Sequence, residues 1–134
     1  MLTSRGEQTR RRLLDAARDV LVEGEGDCAF VDVAQRADVS AGAPYRYFES
    51  KSALVVALVE RFYDDLEEAC YRPSFEEEAG DWWQGEMLRI DKLVSCFYKD
   101  PLGLLIARGL AGDGEVARVQ RERLDRQCRG AAKN

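Results

Sequence analysis

The chain has 134 residues, enough for one domain or two small ones sharing a core, and its 46% apolar content argues against wholesale disorder. Charged residues make up 34%, glycines and prolines number only 11 and 3, and the net charge is −5, a mixture that favours helices with solvated faces over an all-β fold. With no histidine, Ser-His-Asp and Cys-His catalysis and His-bearing zinc sites are excluded; with no long apolar stretch and no apolar core near Met1, the chain reads as soluble and cytoplasmic, with no membrane partner.

In chain order, the first helix is predicted to begin between Arg5 and Thr9 and run to about Glu23, with Leu13, Leu14, Ala17, Val20 and Leu21 on one stripe. Gly24-Glu25-Gly26-Asp27 ends it. Phe30, Val33, Ala34 and Ala37 follow the i, i+3, i+4, i+7 pattern of a short second helix.

Asp38-Val39-Ser40 then forms a tight turn. Aspartate accepts the left-handed conformation such a turn needs, and Ser40 is the expected N-cap of a brief third helix from Ala41 to about Phe48. Pro44 is tolerated in its first turn. Ser50 is the expected cap of a long fourth helix, Lys51 to about Tyr71, carrying Leu54, Val55, Leu58, Val59, Phe62, Leu66, Ala69 and Cys70 on one face.

Residues 75–81, with three consecutive glutamates, read as a linker. Trp83, Met87, Ile90, Val94 and Phe97, spaced 4, 3, 4 and 3, mark a fifth helix whose aromatic stripe, together with Phe62, reads as core. Asp100-Pro101 opens a sixth, nearly all apolar through Leu102, Leu104, Leu105, Ile106 and Leu110, and Gly112-Asp113-Gly114 breaks it. A last helix, Glu115 to about Arg129, has a weak apolar side in Ala117, Leu124 and Cys128, and its arginines read as solvated or interface residues. Asp64-Asp65 and Glu67-Glu68 read as the solvated face of the fourth helix.

Cys28, Cys70, Cys96 and Cys128 lie 42, 26 and 32 residues apart, so no pair sits within one turn as a metal site requires, and they read as small buried hydrophobes. No P-loop or G-x-G-x-x-G is present, and no metal or cofactor is expected. Nor is there a convergent acid–base set, so an enzyme is not expected.

The charge is unevenly spread. Residues 1–51 hold eight basic and nine acidic residues, residues 52–114 six and thirteen, and residues 115–134 six and three, giving −1, −7 and +3. Arg5, Arg10, Arg11 and Arg12 face only Glu7, and a local cationic footprint is what nucleic-acid binding asks for. The same arginines also fit an ordinary solvated face.

Two short helices joined by a tight turn are a helix-turn-helix by pattern. Ala41, Gly42 and Ala43 supply a small tip for the major groove, and Tyr45, Arg46 and Tyr47 supply hydroxyls and a guanidinium behind it. Lys51 stands at a helix start whose dipole suits a phosphate. Phe48 reads as core, whereas Tyr45 fits core closure and phosphate contact equally well.

Residues 9 to about 62 resemble the DNA-binding domain of the TetR family of bacterial transcriptional regulators. The matching text runs from Thr9-Arg10 into Leu13-Leu14-Asp15-Ala16-Ala17, then Val33 to Ser40, then Ala43 through Lys51 and Leu54. The resemblance implies an all-α protein: a three-helix DNA-binding domain over residues 1–50, then a helical effector-binding and dimerisation domain over residues 51–134, shortened at its end. It also implies a homodimer that reads a pseudo-palindromic double-stranded operator, most often as a repressor, and a small-molecule effector that releases it.

By position, Ser40, Ala41, Gly42, Ala43 and Arg46 would face bases, and Tyr45, Tyr47 and Lys51 phosphates. Phe62, Leu66, Trp83, Met87, Ile90, Phe97 and Leu105 are the candidates for an effector pocket. The chain departs from the family where a capping Thr is replaced by Ala29, leaving Asp27 or Cys28 to cap. It departs again where a frequent Lys, Thr and His are Ala41, Ala43 and Tyr47, which shifts weight toward methyl contacts and shape readout. Members of the family generally carry two further long helices, whereas the twenty residues from Glu115 allow one. The chain therefore reads either as a truncated version or as the ordered part of a longer gene product, and without the missing bundle weak dimerisation is expected. The competing reading is a helical protein–protein module that has kept the fold and lost DNA reading.

Overall fold

The computed structural model describes residues 3–110 and 114–131, and among these every regular element is a helix. In order they are α1 (Ser4–Glu23), α2 (Phe30–Ala37), α3 (Ala43–Tyr47), α4 (Lys51–Cys70), α5 (Phe75–Ala79), α6 (Trp82–Lys99), α7 (Pro101–Ala107) and α8 (Gly114–Ala131). None of the described helices is long and apolar enough to cross a membrane.

Local chemistry sets four of the eight described helix starts. The Thr3 hydroxyl accepts from the Gly6 amide, Ser50 from Ala53, and Asp81 from Gln84, each bond satisfying a donor that the first helical turn leaves unpaired. Asp100 caps α7 by accepting from the Leu102 amide, with Pro101 at the first helical position. Asp100 also receives Arg18 of α1, at 2.5 Å, which ties α1 to the start of α7. The break expected at Gly112-Asp113-Gly114 lies outside the described residues except for Gly114, where α8 begins.

One apolar core runs through the molecule, with α4 at its centre. Leu54, Leu58, Val59 and Tyr63 of α4 are fully buried among Leu13, Ala17 and Leu21 of α1, Val33 of α2, Ile106 of α7 and Val116 of α8. Burying a large apolar side chain contributes about 1.5–3 kcal/mol, so the α4 spine is the main source of cohesion. Phe97 of α6 reaches the same core, its ring 5.2 Å from that of Phe62.

Four expectations are corrected. First, α3 begins at Ala43 rather than Ala41, and Ser40 is not its cap: Gly42 holds that position without a side-chain bond. The Ser40 carbonyl instead accepts from the Ala43 amide at 3.0 Å, so residues 40–43 are spent on a turn. Pro44 has no amide to offer, and the first bond onto its carbonyl comes from Phe48.

Second, residues 75–81 are not a linker throughout. Glu76, Glu77 and Glu78 lie in the first turn of α5, where negative charge suits the helix dipole, and Gly80 ends the helix at φ +85°. Gly85 lets α6 press against this piece, since a Cβ there would lie 2.7 Å from the Glu76 amide nitrogen.

Third, of the stripe begun by Trp83 only Phe97, with Phe62, joins the core. Trp83 is 65% exposed, and Met87, Ile90 and Val94 are also exposed, because α6 turns its other side, through Gly85, Cys96 and Phe97, toward α4, α5 and α7. Fourth, α8 buries Val116, Val119, Arg123 and Gln127, whereas Ala117, Leu124 and Cys128 face out. The face it buries is polar at its centre: the Arg123 guanidinium meets Glu60, Asp64 and Glu67 of α4 at 2.5, 2.6 and 3.1 Å. Arg123 is therefore not solvated, and Asp64 and Glu67 are partners rather than an idle charged face.

Candidate nucleic-acid interface

The site is built around the turn between α2 and α3. Asp38 takes φ 56° and ψ 52°, the left-handed conformation expected of it, and caps α2. That conformation costs most L-residues about 1–2 kcal/mol, and a short polar side chain is among the few that visit it routinely. Arg12 of α1 donates to the Ala37 carbonyl at 2.6 Å, pinning the end of α2 just before the turn. Arg10 lies over the Phe48 ring at 5.3 Å, holding the far end of α3. These two arginines are fasteners of the three-helix unit, a role that sequence spacing did not disclose. Arg5 and Arg11 are exposed.

The start of α2 has no side-chain cap. Ala29 holds the position, and neither Asp27 nor Cys28 substitutes for the missing hydroxyl. Cys28 is buried instead, with its Sγ 3.9 Å from the Ala17 carbonyl oxygen, and burial pushes its thiol pKa up while Lys51 pulls it part of the way back.

Beyond the turn, Ser40, Ala41 and Gly42 are exposed and form the leading edge. Ala43, expected among the base-facing residues, is buried, as is Pro44; their inward packing supports the tip rather than presenting it. Tyr45 is 65% exposed, so it does not close the core, but its ring leans on Phe30 of α2 at 4.8 Å and a 60° tilt. Arg46 stands exposed beside it. Tyr47 is half-buried against the core, and Phe48 is buried as expected.

Lys51 opens α4 with an exposed side chain, its Nζ 3.9 Å from an Asp27 carboxylate oxygen. At that distance the pair is loose and solvated, worth about 0–1 kcal/mol, so the ammonium remains available to a stronger anion. Ser40, Ala41, Gly42, Tyr45, Arg46 and Lys51 are thus all accessible, while Tyr47 is partly so.

The effector candidates do not share one cavity. Phe62 and Leu66 border a cleft of about 430 Å³ with Arg18, Lys92 and Lys99. Leu105 borders a separate cleft of about 500 Å³, whose walls include Asp27, Lys51, Val55, Arg108 and Val116. Phe97 is packed on Phe62, and the exposed Trp83, Met87 and Ile90 border neither cleft.

A tight left-handed turn between two short helices, braced by a third and leading into a long α4, is the helix-turn-helix architecture. A sequence model described as bacterial regulatory proteins, tetR family, matches residues 13–58, the span from α1 into α4. The chain belongs to the TetR family.

Among curated proteins it is similar to the HTH-type transcriptional repressor KstR of Mycolicibacterium smegmatis (strain ATCC 700084 / mc(2)155). The two are 30% identical over 96 residues, which cover 71% of this chain and 46% of the relative. The chain therefore spans about half the length of the curated relative it matches. No solved structure matches at the same stringency.

Proposed function

We propose that this protein is a sequence-specific DNA-binding transcriptional regulator, a repressor whose α3 enters the major groove with Ser40, Ala41 and Gly42 leading. The observation that carries this reading is the exposure of that edge together with Tyr45, Arg46 and Lys51, on a turn held rigid by Asp38 and Arg12. The exposed methyl of Ala41 suits contact with thymine methyls, Arg46 suits hydrogen-bond acceptors on base edges, and Tyr45, Tyr47 and Lys51 suit phosphates. Similarity to a repressor supports the same direction of control.

A single five-residue α3 makes too small a footprint for high affinity alone. Two copies on two half-sites of a pseudo-palindrome would supply the missing energy through bivalency. We retain the division into a DNA-binding unit over 1–50 and an effector and dimerisation unit over 51–134.

For release by a small molecule, the cleft that contains Leu105 is the better-placed candidate. It shares Lys51 with the DNA-facing surface, so an occupant drawing Lys51 or α4 toward Arg108 would compete with phosphate contact. Such an effector can shift DNA binding only by its differential affinity for the two arrangements.

The test is fluorescence anisotropy on a labelled duplex taken from upstream of the protein's own gene, across a salt series. Affinity should fall steeply with salt, and Lys51→Gln should lower the slope of log K against log salt by about one. An unchanged slope in the variant contradicts the contact map.

A second reading, a helical protein–protein module, has one observation in its favour: the exposed apolar side of α6 through Trp83, Met87, Ile90 and Val94. It expects no shift of the duplex and a bound partner that survives high salt.

A further inference from the structure

Cys70 ends α4 and Cys96 lies late in α6, and their Sγ atoms face each other at 4.0 Å. The two residues are 26 apart in sequence, so their meeting is a product of the fold. Their environments differ in a useful way. Cys70 is fully buried, whereas Cys96 is partly exposed and borders the cleft of about 430 Å³ that also holds Lys92 and Lys99. We propose that Cys70 and Cys96 form a reversible dithiol–disulfide site, oxidised by a small hydroperoxide that reaches Cys96 through this cleft. This assignment is independent of the DNA-binding reading.

The chemistry divides between the two sulfurs. Lys92 and Lys99, which line the same cleft, favour the approach of a polar oxidant to Cys96. The Cys96 thiolate attacks one peroxide oxygen; the O–O bond breaks, a sulfenic acid forms, and the second oxygen leaves as hydroxide or alkoxide and takes up a proton. The Cys70 sulfur then attacks the Cys96 sulfur. An S–S bond forms, the S–O bond breaks, and the departing hydroxide leaves as water with the Cys70 proton. Two thiols lose two electrons, and hydrogen peroxide is reduced to two waters.

Burial and the adjacent Cys96 push the Cys70 thiol up to about 11, so Cys70 is not the sulfur that meets the oxidant first. Closing from 4.0 Å to the roughly 2.05 Å of a disulfide asks for side-chain rotation and a small approach of α6 to α4. The remaining thiols are placed elsewhere: Cys28 is buried against α1, and Cys128 is exposed on α8. Among the described residues no third acid, thiol or imidazole completes a metal site around the pair.

The test uses the Cys128→Ser protein, which removes the exposed thiol that would otherwise cross-link two chains. It is treated with hydrogen peroxide in slight excess, alkylated, and digested with trypsin without reduction. The expected result is the loss of two thiols, a mass lower by about 2 Da, and one linked species joining residues 62–89 to residues 93–99, reversed by dithiothreitol. In Cys70→Ala/Cys128→Ser protein, the Cys96 sulfenic acid should persist and be captured by dimedone. Recovery of both peptides separately, with Cys70 alkylated, or a dimedone-negative Cys96, overturns the assignment.

Discussion

Tyr45 is solvent-exposed over 65% of its surface, yet its ring rests 4.8 Å from that of Phe30, tilted by 60°. This contact fixes the direction of a side chain that the core does not hold. It separates two contributions that one substitution would merge, the ring as a brace and the hydroxyl as a donor.

Tyr45→Phe should therefore leave stability unchanged and weaken DNA binding, because only the hydroxyl is lost. Tyr45→Ala should weaken binding about tenfold, the cost of one charge-assisted hydrogen bond, and also lower stability by about 1 kcal/mol through loss of the aromatic contact. Anisotropy and urea denaturation on the same two proteins check both parts.

Asp38 tests the turn. At φ 56°, Asp38→Gly should alter stability by less than about 1 kcal/mol, whereas Asp38→Val should cost about 1–2 kcal/mol, since a β-branched residue resists that conformation. The valine protein should lose DNA affinity as well, because the turn sets the angle of α3. Thermal melts followed by anisotropy measure the two effects.

Arg123 tests the attachment of α8. Its side chain is 6% exposed and bonded to three carboxylates, so Arg123→Ala should cost about 2–4 kcal/mol in urea unfolding. Asp64→Asn should cost less than 1 kcal/mol by the usual scale for exposed ion pairs, since Asp64 is itself 64% exposed. Burial alone would lower the Arg123 pKa, but its hydrogen bonds and charge pairing with Glu60 and Asp64 outweigh that and raise it above its already high ordinary value. The charge is therefore retained throughout the range in which the protein is handled.

Alkaline stability should be governed in part by Cys70. An unfolded thiol releases its proton around 9.0, while folded Cys70 holds it to about 11. Between those values the folded state binds more protons than the unfolded state, so stability falls as pH rises. Below pH 9 the contribution is complete. Burial raises Tyr63 and Tyr71 as well, which steepens the decline at the upper end. Urea midpoints from pH 8 to 11 should show the fall, and Cys70→Ala should flatten its lower part.

What could be read in the sequence follows a physical line. Asp38, Ser50 and the Asp100-Pro101 start depend on chemistry within a few residues, and the structure has each in its expected place. Ser40 failed as a cap because the backbone used one further turn ahead of Pro44. The α6 stripe was misjudged because a helical period shows that a face is apolar but not which side neighbouring helices cover. Arg123 was hidden for a related reason. A lone arginine in a charged helix looks solvated until the fold brings Glu60, Asp64 and Glu67 across from it. The exposure of Ser40, Ala41, Gly42, Tyr45, Arg46 and Lys51 fits the DNA contacts proposed for them, while the buried state of Ala43 needed the packing of α3 onto α2 to appear.

The most direct test of the DNA-facing surface is amide mapping by NMR, titrating the isotopically labelled chain with a duplex from upstream of its gene. The account predicts that the largest shifts fall on the amides of residues 40–43, 45–48 and 51, with α6 and α8 nearly silent. Shifts concentrated on Trp83, Met87, Ile90 and Val94, with the amides of Ala41 and Gly42 unmoved, would contradict it.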